Sequence, residues 1–144
     1  MNDLQLVIVD TNVIVAGLIT SQVESPTAQI LDAMLDGRVM YLMSPALLEE
    51  YREVLLRPKL VRLHGLAEEE VDQILTHITA NGIWHEPPST VSTGAPDPGD
   101  NHLWSLLESE PAAILVTGDQ LLINNPRPHS AVISPATLVK HLLP

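Results

Sequence analysis

The sequence predicts an α/β fold with a mostly parallel sheet, and three observations predict it. Short apolar runs alternate with helical patterns along nearly the whole chain, as strand–helix–strand units do. Two of the runs, residues 6–9 and 114–116, are aliphatic at every position, the pattern of strands buried on both faces. Three acidic motifs stand where a strand should meet a loop or helix: Val9-Asp10-Thr11-Asn12, Asp97-Pro98-Gly99-Asp100-Asn101 and Thr117-Gly118-Asp119. A carboxylate at the C-terminal end of a parallel strand lies on the edge where open α/β sheets bind ligands.

The elements run in order along the chain. Residues 4–9 read as the first strand, and a helix should start near Asn12 or Val13 and run to about Ile19. Ser25 is a plausible cap with Pro26 at the first helical position. That helix reaches Leu35 on a stripe of Ile30, Leu31, Met34 and Leu35, and Asp36-Gly37 ends it. Residues 39–43 form the second strand. Ser44-Pro45 opens a helix that turns Leu47, Leu48, Tyr51, Val54 and Leu55 inward, and Pro58 stops it or bends the chain beyond it. Residues 66–80 form an amphipathic helix closed by Asn81-Gly82, and residues 83–86 a short strand. Residues 87–98 are rich in Pro, Ser and Thr and read as a long, functional loop. A helix comes next over 98–108, then the central strand 113–116, one helical turn at 119–123, the last strand 131–133 and a terminal helix 136–142.

At 144 residues the chain fits one domain over residues 1–144, and 45% hydrophobic content supplies a core. Aromatics are 3% and Phe is absent, so that core is built from Leu, Ile, Val and Ala. Absence of cysteine excludes disulfides, thiolate zinc sites and Cys nucleophiles. The start of the chain does not read as a secretory signal, and no apolar stretch approaches the ~20 residues that cross a bilayer. A soluble, cytoplasmic protein is expected, with no membrane partner. The net charge of −11 is awkward for a nucleic-acid protein. A cation among the acids would neutralise part of it, and Arg52, Arg57, Lys59 and Arg62 are clustered.

Each acid has two readings. Asp10 ends a strand, so it is either a metal ligand at the sheet mouth or the cap of the first helix. Asn12 either offers an amide oxygen to a metal-bound water or caps the helix. Glu50 lies at the edge of its helix's apolar stripe, with Glu49 farther toward solvent, and either joins the site or is simply solvated on a charge-rich helix. Asp97 caps a helix starting at Pro98, or joins a site with Asp100. Asp100 either complements the helix dipole in the first turn or faces Asp10. Asp119 ends a strand and starts a turn, and Thr117 is placed to orient Asp10 or Asp119. Hard oxygen donors without Cys or clustered His suit Mg²⁺ or Mn²⁺ better than zinc. Arg52, Arg57 or Lys59 would hold a flanking phosphate or pair with the acids. The six His are scattered; His102, close to Asp100, either lies near the site or, the more ordinary case, is a surface residue. GxSxG, GxGxxG and phosphate-loop motifs are absent.

At these residues the chain resembles the PIN-domain nucleases, nearly end to end. The resemblance runs from the Asp10-Thr11-Asn12-Val13 start through Ser44-Pro45-Ala46-Leu47-Leu48-Glu49-Glu50-Tyr51-Arg52 and Arg57-Pro58-Lys59. Asp97-Pro98-Gly99-Asp100-Asn101 and Leu115-Val116-Thr117-Gly118-Asp119 complete it in order. The branch it looks like is that of VapC-like toxins from toxin–antitoxin pairs. The resemblance implies a three-layer α/β/α sandwich and Mg²⁺- or Mn²⁺-dependent cleavage of RNA. It also implies a homodimer and an antitoxin partner. It maps the family's acids onto Asp10, Glu50, Asp100 and Asp119, with Asn12 and Thr117 supporting and Asp97 as an extra acid of the branch. One departure stands out: after Asp119 the branch usually has a basic residue and a second Asp, whereas here Gln120 leads into Leu121-Leu122. The rival readings are a catalytically silent PIN-fold module that binds RNA or protein, a metal phosphatase of doubly wound fold, and a structural α/β protein with capped helices. Against the phosphatase, Asn12 stands at the third place of its Asp-x-Asp motif.

Overall fold

The computed structural model describes residues 5–87 and 94–142. Five strands, β1 (Leu6–Val9), β2 (Met40–Met43), β3 (Ile83–Trp84), β4 (Ile114–Val116) and β5 (Ala131–Ile133), form one sheet in the order β3-β2-β1-β4-β5. Every pairing is parallel. The helices are α1 (Thr11–Ile19), α2 (Pro26–Leu35), α3 (Pro45–Leu55), α4 (Pro58–His64), α5 (Glu68–Asn81), α6 (Asn101–Ser109), α7 (Gln120–Asn124) and α8 (Pro135–Leu142). They flank the sheet, which makes the three-layer α/β/α architecture that the sequence predicts.

Strand order decides where the chemistry sits. From β1 the chain moves outward to β2 and β3, then returns to lay β4 against the other side of β1 and β5 beyond it. The direction of winding therefore reverses between β1 and β4, and ligands of open α/β sheets bind in the crevice at such a point. The register pairs Val9 with Val116. The next residues, Asp10 and Thr117, thus leave the sheet side by side, and Asp10 N–H donates to the Val116 carbonyl at 2.9 Å.

The core grows from the two central strands. Val7, Ile8, Val9, Leu115 and Val116 are fully buried, as the aliphatic runs require. Ile30 and Met34 of α2, Leu47 and Leu55 of α3, and Leu103, Leu106 and Leu107 of α6 close over them. Ser25 and Ser44 cap α2 and α3 by accepting from backbone N–H groups, each followed by Pro at the first helical position. Tyr51 is buried, and its hydroxyl donates to the Val9 carbonyl, which fixes α3 against the end of β1.

Three features differ from the sequence expectation. Pro58 does not simply end a helix; it opens α4, because a residue without N–H costs nothing at a first helical position. His64 then joins α4 to its neighbours, with Nε2 2.8 Å from the Leu55 carbonyl and Nδ1 accepting from Leu66 N–H. The helix expected over 98–108 is split into a 3-10 turn at Pro98–Asp100 and α6. β2, β3 and β4 are also shorter than the expected 39–43, 83–86 and 113–116, whereas β5 matches 131–133. Residue 4 of the expected first strand and residues 88–93 of the expected loop lie outside the described residues. Among the described residues, no helix is long and apolar enough to cross a membrane.

Replacing Tyr51 with Phe removes the donor to the Val9 carbonyl and keeps the ring. Urea unfolding is expected to show a loss of about 1–3 kcal/mol, the cost of leaving a buried acceptor short of its partner. Unchanged stability contradicts the anchoring role.

Candidate metal centre

A cleft of about 630 Å³ opens at the C-terminal edge of the sheet. Asp10, Thr11, Asn12, Glu50, Asp97, Asp100 and Asp119 line one side, and Val15, Ala16, Ile19 and Val54 give it an apolar wall. Six of the seven residues named from sequence as acids or their supports therefore border one space. The seventh, Thr117, is buried behind Asp10.

Asp10 is 5% exposed. One carboxylate oxygen accepts from Thr11 N–H at 2.8 Å, which caps α1. The other accepts from Thr117 Oγ1 at 2.8 Å and from Asn12 Nδ2 at 3.2 Å. Burial raises its pKa, the Thr117 and Thr11 hydrogen bonds oppose that shift, and the charge of Glu50 adds to it. Asn12 is not the helix cap, and its amide oxygen has one partner from the chain. That oxygen accepts from Gly118 N–H at 2.9 Å, so the side chain clasps the first turn of α1 to the turn after β4. Thr117 also accepts from Asp119 N–H, and it serves both acids.

Glu50 lies midway along α3. Its Oε1 accepts from Thr11 Oγ1 and its Oε2 lies 2.8 Å from His102 Nε2. The hydrogen bond from His102 is the main cause that holds its pKa below the ordinary carboxylate value, with Thr11 assisting against burial. Among the described residues Asp100 has no such donor. Burial pushes its pKa up to about 6, and the charges of Asp10, Asp97 and Glu50 act in the same direction. Asp97 and Asp119 each accept a backbone N–H, at Gly99 and Leu121, and so cap the turns they begin. For Asp10, Asp97 and Asp119, capping and bordering the cleft are compatible, because a carboxylate has two oxygens.

The basic residues lie elsewhere. Arg52 is held by Asp72 and Glu68 of α5, at 2.8 and 2.6 Å, and Arg57 pairs with Glu53 at 2.9 Å. Neither they nor Lys59 line the cleft. For Arg52 the structure favours the ion-pair reading over phosphate. Of two neighbours of the acids, Thr11 escapes a reading of the sequence and His102 takes the less ordinary of its two readings. Thr11 stands between Asp10 and Asn12, and a hydroxyl adjoining a strand-end acid is a usable signal. His102 is not a surface residue: its side chain is 17% exposed and points to Glu50. Its place two residues beyond Asp100 is the available clue.

The PIN domain family model matches residues 6–121 of the chain, and the chain belongs to the PIN-domain family. A comparison with curated proteins gave no match. PIN domains are generally nucleases that hydrolyse phosphodiester bonds, typically with divalent metals.

The side chains suit such an ion by chemistry. Carboxylates dominate, thiolates are absent, and the acids already feel one another's charge. Among the described residues no three acids or histidines are grouped tightly enough to hold an ion as they stand. A shared cation therefore requires acids that line the cleft to close in.

The Asp100 shift has a measurable sign. Because its folded-state pKa is raised from 3.8 to about 6, its contribution to stability is present below 3.8 and is lost as pH rises through about 6. Asp100→Asn removes that loss. In chelator, the variant is expected to melt above the native protein at about pH 7.5, by about 1 kcal/mol or less in stability because the group is half-exposed. The difference should shrink toward pH 4. A variant no more stable than native at the higher pH contradicts the electrostatic account.

Proposed function

We propose that this protein is a Mg²⁺- or Mn²⁺-dependent endoribonuclease and the toxin component of a toxin–antitoxin system. The observation that carries the nuclease reading is the gathering of Asp10, Glu50, Asp97, Asp100 and Asp119 around one cleft at the reversal of strand order in a PIN domain. Asp10, Glu50, Asp100 and Asp119 would hold the ion, with Asn12, Thr117 and Asp97 in support. When bound, the metal lowers the pKa of a water and offsets charge growing on the phosphoryl oxygens.

The chain's own residues have separate tasks. Thr117 and Thr11 orient Asp10, and their hydrogen bonds oppose the upward pKa shift that burial causes. Glu50, held low in pKa, stays a carboxylate that would complete the set around the ion or orient the attacking water. The apolar wall of Val15, Ala16, Ile19 and Val54 gives a nucleobase a dry surface beside the acids. The order of motifs from Asp10 to Asp119 supports the toxin role, together with an antitoxin partner, a homodimer and a cytoplasmic location.

The test is cleavage of labelled single-stranded RNA by the purified protein in Mg²⁺ or Mn²⁺. The native protein is expected to cut it, EDTA to stop it, and Asp10→Asn to slow it by about 10²–10³-fold or more, as loss of a group aimed at transition-state charge does. No cleavage by native protein, or equal cleavage by Asp10→Asn, overturns the nuclease reading.

A further inference from the structure

Glu50 is restrained from two directions. Thr11, the first residue of α1, bonds one oxygen, and His102, in the first turn of α6, bonds the other at 2.8 Å. The His102 ring is 17% exposed and the Glu50 side chain 27% exposed, so water competes weakly for this contact. Whether the ring is neutral with its hydrogen on Nε2 or charged with hydrogens on both nitrogens, Nε2 donates to the carboxylate. The bond links α3 to the helix that begins beside Asp100.

The acid needs such a restraint. Glutamate has three rotatable side-chain bonds, and Glu50 shares the cleft with Asp10, Asp97, Asp100 and Asp119. Among the described residues no Lys or Arg lines that cleft. Repulsion from its neighbours would drive an unrestrained Glu50 toward solvent, and ordering it again on binding an ion costs side-chain entropy. We propose that His102 is a positioning residue: by donating from Nε2 it holds the Glu50 carboxylate in the cleft, ready for a divalent cation. The inference rests on the metal-nuclease reading. It assigns a task to a residue outside the set of acids.

α6 is secured by Leu103, Trp104, Leu106 and Leu107, all buried, so substitution at His102 leaves its packing in place.

The experiment is Mn²⁺ calorimetry, paired with RNA cleavage, on native protein, His102→Ala, His102→Gln, Glu50→Gln and the double variant His102→Ala/Glu50→Gln. His102→Ala is expected to bind Mn²⁺ about 10–100-fold more weakly, the usual cost of losing a partner that orients a metal ligand. His102→Gln, whose amide N–H also donates, should recover most of that loss. In the Glu50→Gln background the alanine change should cost little, because His102 acts through Glu50. Native or tighter Mn²⁺ binding by His102→Ala overturns the inference, and so does an equal loss in both backgrounds. If native protein binds Mn²⁺ and cuts RNA while His102→Ala matches it, only the positioning role fails. If native protein does neither, the nuclease reading fails and takes this inference with it.

Discussion

Keeping a carboxylate where water scarcely reaches is the constraint on which this end of the sheet depends. Asp10 is almost fully buried, and a buried charge is tolerable only when donors replace its lost hydration. The donors come from beyond both central strand ends: Thr11 N–H and Asn12 Nδ2 from the first turn of α1, Thr117 Oγ1 from the turn after β4. They meet because β1 and β4 are adjacent and paired in a register that leaves Asp10 beside Thr117. Asn12 then closes the arrangement by accepting from Gly118 N–H. Sheet topology, turn geometry and the ionisation of one side chain are thus a single problem with a single solution.

Around Asp10 the remaining acids are graded by how well each is partnered. Glu50, with a hydroxyl and an imidazole as donors, is held in its charged form. Asp100, without a comparable donor among the described residues, has its pKa pushed up by burial and then by the charges of Asp10, Asp97 and Glu50. Asp10, Asp100 and Asp119 each stand at the N-terminal end of a helix, α1, α6 and α7 respectively. The unpaired N–H groups and dipole at such ends favour negative charge. The fold therefore tolerates this concentration of acids in part through the helix ends it places there.

Much of this is readable in the chain itself. The aliphatic runs at 6–9 and 114–116 betray central strands because a strand buried on both faces has no polar side to show. Ser25-Pro26 and Ser44-Pro45 declare helix starts because cap and first position have local chemistry. Pro58 is ambiguous for the same reason: a residue that cannot continue a helix is also suited to start one. The placement of Asp10, Asp100 and Asp119 at strand or helix ends is visible too. Their approach to one another is not, since it depends on β4 returning to the flank of β1 across a long stretch of sequence. His102 is hidden by that same distance, because its partner Glu50 lies 52 residues away. Arg52 misleads, because its neighbours in sequence are acids of α3, while its partners, Glu68 and Asp72, belong to α5.

The account stands on the claim that these carboxylates share one cation. Crystals soaked in Mn²⁺ and measured for anomalous scattering address that claim most directly. It predicts an anomalous peak in the cleft within coordination distance of Asp10, with oxygens of Asp100, Asp119 or Glu50 also bound to the ion. A well-diffracting crystal with no peak there, or with the ion held only by residues outside the cleft, would contradict it.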